Sequence, residues 1–171
     1  MYYVSVPDEK MEEARKLADA LQKKLGIKVE IDERTTAIKI SPGESDPYTA
    51  FKAINAFKAL AYGFSMGDAM KLLSDDYALH VIELKDYASG AEDARRLKGR
   101  VIGEKGKTKK IIQEYTGVNL VITDNAIAIL GLSDQVEIAR KAVEMLLEGR
   151  QHKTVYEYLD KAELSYRMRS S

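Results

Sequence analysis

Two stretches of the sequence, about 90 residues apart, repeat the same succession of patterns. GIKVEI at 26–31 corresponds to GVNLVI at 117–122, and AIKI at 37–40 corresponds to AIAI at 126–129. Each pair of strand-like stretches is flanked by segments in which apolar residues recur at helical spacing. An internal repeat of this kind predicts two copies of one small α/β domain. The alternative is a chance similarity of two α/β stretches, which the shared order of elements disfavours.

The two halves are predicted to share a helix–strand–strand–helix core and to differ in what precedes it. In the first half, a strand leads directly into a helix that begins at Asp8, and a later helix at 48–62 has Phe51 and Phe57 on its inner face. In the second half, a strand at 79–87, a short helix at 91–98 and a turn with two glycines precede the first helix of the core, at 107–116. The first half has no room for such a turn.

Composition restricts the classes of function that the 171-residue chain can have. Apolar residues make up 45% and charged residues 32%, which is typical of a folded protein. Because there is no cysteine and the only histidines are His80 and His152, we expect no disulfide, metal site, cofactor or catalytic triad, and no enzymatic activity. No apolar run approaches the roughly 20 residues that span a membrane, and no secretory signal is visible. We therefore expect a cytoplasmic protein without membrane contact.

Charge is balanced overall but concentrated locally. The chain has 27 basic and 27 acidic residues, whereas residues 95–110 contain eight basic residues and one acid. Residues 65–94 contain seven acids and two bases. One concentrated basic segment in a neutral chain predicts a localised site for an anion. The alternative is a lysine-rich helix face that contacts only solvent.

The basic segment contains the sequence RVIGEKGKTKK at 100–110, with glycines at positions 103 and 106. A Walker-type phosphate loop is disfavoured, because it would need a preceding strand and a first glycine at the position of Val101. Two glycines between helices permit a tight turn and the close approach of a backbone, and the next helix presents its N-terminal amides to phosphate. This combination favours a clamp for an RNA backbone, as in the G-x-x-G loop of KH domains. A simple helix–turn–helix connection with solubilising lysines is the alternative.

The predicted RNA-binding surface covers the loop, the helix ends beside it and one strand. Its lysines and Arg100 are expected to neutralise phosphates, and Val101 and Ile102 to form an apolar wall for unstacked bases. Glu104 places a carboxylate in the loop, which Lys105 beside it can offset. The residues predicted to bind RNA are Leu97, Lys98, Arg100, Val101, Ile102, Gly103, Glu104, Lys105, Gly106, Lys107, Thr108, Lys109, Lys110 and Val121.

Residues 79–148 resemble a type I KH domain, and residues 1–64 resemble a degenerate copy without the glycine loop. Three longer stretches are similar to the two-KH-domain ribosome assembly factors called partner of Nob-one. They are GFSMGDAMKLLSDDYALHVIELKDY at 63–87, RLKGRVIGEKGKTKKIIQEYTGVNLVI at 96–122 and KAVEMLLEGRQHKTVYEYL at 141–159. The resemblance implies an α/β (α+β) fold of two tandem type I KH domains, each a three-stranded sheet with helices on one face. It also implies a linker helix at 65–78 and a helical tail at 149–171.

The family resemblance further implies a function in archaeal and eukaryotic small-subunit maturation. The expected ligand is single-stranded RNA from the 3′ region of small-subunit (16S) ribosomal RNA, held by the second domain. The expected partners are the endonuclease that matures that end, the dimethyladenosine methyltransferase that acts nearby and a translation initiation factor. The rival interpretation is a protein-interaction scaffold in ribosome assembly or translation initiation, whose basic loop contacts an acidic protein.

Overall fold

The computed structural model describes residues 2–170, which divide into two compact units. The first unit ends at Tyr77 and the second begins at Ala78. Each unit contains one three-stranded sheet, in which the last strand of the unit lies at the centre. Among residues 2–170, no helix is both long enough and apolar enough to cross a membrane.

The first unit places helices on one face of its sheet. Its elements are β1 (Tyr2–Ser5), α1 (Met11–Leu25), β2 (Lys28–Asp32), β3 (Ala37–Ser41), α2 (Pro47–Tyr62) and α3 (Met66–Lys71). Strand β3 is antiparallel to both neighbours, with Ile38 opposite Val4 and Ile31. Because side chains alternate along a strand, Ile38 and Ile40 share one face, and both are fully buried, as is Phe57 of α2.

The second unit has the same sheet order and one more helix at its end. Its elements are β4 (Tyr77–Glu83), α4 (Ala91–Ile102), α5 (Lys107–Thr116), β5 (Asn119–Ile122), β6 (Ala126–Leu132), α6 (Ser133–Leu147) and α7 (His152–Ser170). Strand β5 is antiparallel to β6, with Leu120 opposite Ile129. Val155 and Leu159 of α7 are fully buried in the core of this unit. The C-terminal helix therefore packs on its own unit.

The glycines of the sequence repeat end equivalent helices. Gly26 follows α1 with φ 68°, and Gly117 follows α5 with φ 73°. Their amides donate to the carbonyls of Gln22 and Gln113, respectively, in the last turn of each helix. A left-handed residue commonly closes a helix in this way, and glycine adopts that conformation without steric cost. This shared cap is the local reason that the two halves align at these glycines.

The predicted α+β fold, with two three-stranded sheets and a C-terminal helix, is confirmed. The repeated core occurs as α1-β2-β3-α2 in the first unit and as α5-β5-β6-α6 in the second. The segment 65–78 contains α3, which packs on α2 within the first unit, and the first residues of β4. The exact domain limits given in the sequence analysis stay a prediction.

Two local predictions are wrong. Phe51 is 50% exposed, because it lies about 120° around the helix axis from the buried Phe57. Helix α1 begins at Met11 rather than at Asp8, since Asp8–Lys10 form a separate 3-10 turn that has no side-chain cap. Neither difference changes the order of the elements.

The packing of α5 is tested by removing a side chain from its buried face. Ile112 is fully buried in the core of the second unit. The change Ile112→Ala removes buried methyl groups and leaves a cavity, so we expect the free energy of unfolding to fall by about 2–5 kcal/mol. The control Lys110→Ala, at an exposed position of the same helix, should change it by less than about 0.5 kcal/mol. Urea unfolding followed by circular dichroism measures both, and equal effects would contradict this packing.

Candidate nucleic-acid interface

The loop between α4 and α5 is a turn of unusual backbone conformation. Gly103 has φ 77° and ψ 171°, Lys105 has φ 54° and ψ 28°, and Gly106 has φ 77° and ψ 12°. The amide of Gly103 donates to the carbonyl of Gly99 over 2.8 Å, and the amide of Gly106 donates to that of Gly103 over 3.1 Å. Positive φ at three positions turns the chain sharply between the two helices, and only Lys105 adopts it with a side chain.

The two glycines of the loop are needed for different physical reasons. A β-carbon at Gly103 would lie 2.2 Å from the hydroxyl oxygen of Thr108 and 2.6 Å from its amide nitrogen. Its φ and ψ also fall in a region that only glycine commonly occupies. A β-carbon at Gly106 would meet no heavy atom within 4 Å. Gly103 is therefore fixed by internal packing, whereas Gly106 leaves the backbone open to a ligand.

Helix α7 is hydrogen-bonded to the helix ends on either side of the loop. The hydroxyls of Thr108 and Tyr156 share a hydrogen bond of 2.9 Å. The Nε2 atom of His152 lies 2.9 Å from the carbonyl oxygen of Arg100 and donates to it. The start of α5 and the end of α4 are thus both tied to the first turns of α7.

A third link joins α5 to α7 further along both helices. The hydroxyl of Tyr115 donates to a carboxylate oxygen of Asp160 over 3.1 Å. This hydrogen bond, together with the negative charge of Asp160, raises the pKa of Tyr115 above its usual value. Phenolic hydrogen bonds therefore hold α5 against α7 near both of its ends.

Arg100 is largely committed to contacts within the protein. Its Nε atom donates to the carbonyl of Leu146 over 2.9 Å, and a terminal nitrogen donates to the carbonyl of Arg150. Both carbonyls belong to the end of α6 and the segment after it, where helix carbonyls lack helical partners. Arg100 thus closes α6, while its charge remains near the loop.

The lysines around the loop differ in how far they are neutralised. Lys110 is exposed and lies 3.9 Å from Glu114, and Lys98 of α4 lies 3.7 Å from Asp124. Within the part of the chain that the structure describes, Lys105, Lys107 and Lys109 take part in no ion pair. Lys105 and Lys107 are exposed, and Lys109 is half-buried. Glu104 is exposed on the same turn, so its carboxylate is well solvated and opposes only part of this charge.

The apolar residues predicted to contact bases divide into buried and accessible ones. The side chains of Leu97 and Val101 are 2% and 0% exposed, and that of Thr108 is 2% exposed. Ile102 is 37% exposed, and Val121 on the edge strand β5 is half-buried. The expectation that the Val101 side chain lines a groove is therefore corrected, because its face of α4 packs into the core. Among the apolar residues predicted to contact bases, Ile102 and Val121 are those with accessible side chains.

Gly99 is a residue that the sequence prediction missed. It lies exposed within α4, one turn before Gly103, and a β-carbon there would meet no heavy atom within 4 Å. A glycine inside a helix costs roughly 1 kcal/mol relative to alanine, and none of residues 2–170 comes close enough to require one here. The signal in the sequence was a single glycine within a helical pattern. Gly99 therefore leaves the last turn of α4 without a side chain at this position.

The structure shows no clustered donors for a metal ion. In residues 2–170, no group of three or more histidine, cysteine, aspartate or glutamate side chains is arranged to hold one.

The contacts of His152 and Tyr156 were not predicted from the sequence, because they join parts of the chain about 50 residues apart. The site is thus a basic loop that is supported by α7 and bordered by the exposed Gly99.

The different roles of the two loop glycines predict different costs of substitution. We expect Gly106→Ala to lower the free energy of unfolding by about 1–2 kcal/mol, because its left-handed φ disfavours a β-carbon. Gly103→Ala should cost more, since the added β-carbon also meets the backbone of Thr108. Denaturant unfolding of both variants gives the comparison. An equal cost would mean that Thr108 does not pack against the loop in solution.

Comparison with known proteins identifies relatives in sequence. Residues 78–164 match the sequence profile of the second KH domain of PNO1, described as a eukaryotic type KH-domain (KH-domain type I). The chain is 43% identical over 142 residues to a KH domain-containing protein of Methanocaldococcus jannaschii, covering 82% of this chain and 63% of that one. It is 31% identical over 170 residues to the pre-rRNA-processing protein pno1 of Schizosaccharomyces pombe, covering 95% of this chain and 70% of that one.

A solved structure extends the similarity to the whole fold. The chain matches the crystal structure of the a/eIF2alpha–aDim2p–rRNA complex from Pyrococcus horikoshii with a TM-score of 0.79 and 32% identity, covering 96% of this chain and 94% of that one. It spans 63% of the length of the M. jannaschii relative and 52% of that of the PNO1 protein of Candida glabrata. By its sequence and the order of its elements, the chain belongs to the PNO1 family of KH-domain proteins.

Proposed function

We propose that this chain binds single-stranded RNA in ribosome biogenesis, through the loop between α4 and α5. The observation that carries the proposal is a turn with two glycines at positive φ, beside which three lysines have no ion pair among the described residues. Relatives named as pre-rRNA-processing proteins and a structural neighbour solved with rRNA support it. The second unit is proposed as the RNA-binding KH domain, and the first as a degenerate copy.

The proposed phosphate-binding position is the start of α5. Gly106 precedes this helix, and no side chain caps the amides of its first turn. Uncapped amides at a helix N-terminus carry partial positive charge and bind phosphate oxygens. Because nothing occupies the space in front of Gly106, a backbone phosphate can approach these amides closely. The RNA backbone would then continue along the part of α4 that Gly99 leaves without a side chain.

The lysines supply the sequence-independent part of the binding free energy. Lys105, Lys107 and Lys109 would each neutralise phosphate charge and release counterions, so the affinity should fall as salt rises. The carboxylate of Glu104 works against this attraction. Its effect is moderate because it is exposed and screened by solvent.

Base recognition is assigned to the accessible apolar surface. Ile102 at the end of α4 and Val121 on β5 would contact the faces of a few unstacked bases, whose edges can then form hydrogen bonds. The side-chain oxygen of Gln113 accepts from the amide of Leu120 over 2.9 Å, which fixes α5 to β5. This hydrogen bond therefore fixes the strand that carries Val121 relative to the helix that follows the loop.

The proposed RNA is the 3′ region of small-subunit (16S) ribosomal RNA, in cytoplasmic maturation of that subunit. Support for an rRNA ligand comes from the structural neighbour that was solved as a complex with rRNA. The same complex contains a/eIF2alpha, which supports a translation initiation factor as a partner. An endonuclease and a dimethyladenosine methyltransferase are proposed partners on the family resemblance alone.

The second candidate function is that of a protein-interaction scaffold. The observation that favours it is the presence of a protein as well as RNA in the neighbouring complex. In this case the basic loop would contact an acidic protein surface. Binding to RNA that falls steeply with salt yet keeps a sequence preference favours the first function, whereas tight binding to an acidic protein with indifference to RNA sequence favours the second.

The RNA-binding function is tested by reversing charge in the loop without removing its glycines. The double change Glu104→Asp, Lys105→Asp keeps the fold, because aspartate tolerates the left-handed conformation of Lys105. We expect at least about a tenfold loss of affinity, or 1.4 kcal/mol, for single-stranded RNA from the 3′ end of 16S ribosomal RNA. Fluorescence anisotropy measures binding, and circular dichroism checks the fold.

The matched control is Lys58→Asp, an equal change of charge at an exposed position of α2 in the first unit. It should leave the affinity unchanged. Equal binding by wild type and the loop variant would move the RNA site elsewhere on the chain. Absence of binding by the wild type would leave the scaffold as the better account.

The proposed path of the backbone along α4 makes a separate prediction for Gly99. The change Gly99→Ala should raise the free energy of unfolding by up to about 1 kcal/mol, because alanine is the better helix former. We expect the same change to weaken RNA binding about tenfold, since the added methyl group obstructs the backbone. Gly67→Ala, in helix α3, is the matched control and should leave RNA binding as it is. An affinity unchanged in Gly99→Ala would exclude close approach at this position.

A further inference from the structure

A depression lies beside the loop, on the side that faces α7. It has a volume of about 510 Å³ and is lined on α4 by Gly99 and Gly103 and on α7 by His152 and Tyr156. Arg96 and Lys107 also line it. The depression borders Gly103 directly, so it is continuous with the proposed phosphate clamp. It is large enough to receive a nucleotide.

The two rings on α7 are held in fixed positions. Tyr156 is fixed by its hydrogen bond to Thr108, and His152 by its hydrogen bond to the carbonyl of Arg100. The ring centroids are 6.2 Å apart with an angle of 64° between the ring planes. Both side chains are half-buried, so each ring is partly accessible. Rigid aromatic rings beside a positively charged backbone site are the usual surface on which an unstacked base packs.

The depression is lined by two positively charged side chains that can bind a phosphate. Lys107 is exposed and, among the described residues, takes part in no ion pair. Arg96 is exposed and donates from Nε and one terminal nitrogen to Asp93, over 3.0 Å and 2.7 Å, which leaves further N–H groups of its guanidinium for a ligand. The pKa of Asp93 is lowered by the amide of Ser89 and by Arg96, so this pair stays charged at neutral pH. Glu104 is the acidic residue that lines the depression, at an exposed position.

We propose that this depression is a subsite for one nucleotide that flanks those held by the loop. The base packs against Tyr156 and His152, and its phosphate contacts Arg96 and Lys107. The absence of a side chain at Gly99 lets the sugar–phosphate backbone pass from the loop into the depression. This inference rests on the proposed RNA-binding function and adds the residues that extend the bound length of RNA beyond the KH loop.

The test compares RNAs of two lengths. A fluorescein-labelled single-stranded tetranucleotide, selected from a randomised pool for binding to the wild type, is extended by two nucleotides at its 5′ or its 3′ end. We expect one of the two extensions to raise the affinity of the wild type by about tenfold, as base–aromatic stacking provides. Arg96→Gln should bind the tetranucleotide like the wild type and lose most of that gain. For the extended RNA, the slope of log affinity against log salt concentration should be shallower in Arg96→Gln than in the wild type, by the equivalent of about one phosphate contact.

A matched pair of variants isolates the aromatic ring from the hydrogen bond to Thr108. Tyr156→Phe and Tyr156→Leu both lose the hydroxyl, so they should bind the tetranucleotide equally. Only Tyr156→Phe should keep the gain on extension, because only phenylalanine retains an aromatic face. The same gain in both variants, or no gain for the wild type with either extension, would overturn the subsite while leaving the proposed function intact. Failure of the wild type to bind any tetranucleotide would overturn both proposals.

Discussion

The contact between Thr108 and Gly103 fixes the shape of the loop on which the proposed site depends. The hydroxyl and amide of Thr108 fill the space that a β-carbon at Gly103 would need, and Tyr156 holds that hydroxyl in place. Since Thr108 lies in the first turn of α5 and Tyr156 belongs to α7, one buried hydroxyl joins the loop to the C-terminal helix. The backbone is therefore ordered before a ligand arrives, which lowers the conformational entropy that binding must cost.

The parts of the site that follow from the conformational preference of single residues could be predicted from the sequence. Glycines at 103 and 106 predicted the turn, and the aligned glycines at 26 and 117 predicted where two helices end. The burial of Val101 was not predictable in the same way. Val101 and Ile102 are adjacent apolar residues of one helix, about 100° apart around its axis, and tertiary packing decides that Val101 is buried and Ile102 exposed.

The role of α7 could not be predicted from local patterns, because its contacts with the loop span long separations in sequence. Tyr156 is 48 residues from Thr108, and His152 is 52 residues from Arg100. Amphipathic spacing predicts that a helix has an apolar face but not which surface it covers. Both residues lie within the stretch 141–159 that carries the family resemblance. That stretch thus contains the residues of α7 that bond to the helix ends on either side of the loop between α4 and α5.

The two copies of the scaffold differ in charge pairing at the position of the glycine loop. When Gly26 is aligned with Gly117, Arg15 of α1 takes the place of Gly106 in the loop. Arg15 donates two hydrogen bonds to Glu33, over 2.8 Å and 2.5 Å, and its guanidinium lowers the pKa of that carboxyl. At this position the first unit therefore has a side chain where the second unit has a glycine, and the positive charge of that side chain is paired with Glu33. At the equivalent position the second unit has the bare backbone of Gly106, and among residues 2–170 the neighbouring Lys105, Lys107 and Lys109 take part in no ion pair, which is the difference on which the proposed RNA-binding function depends.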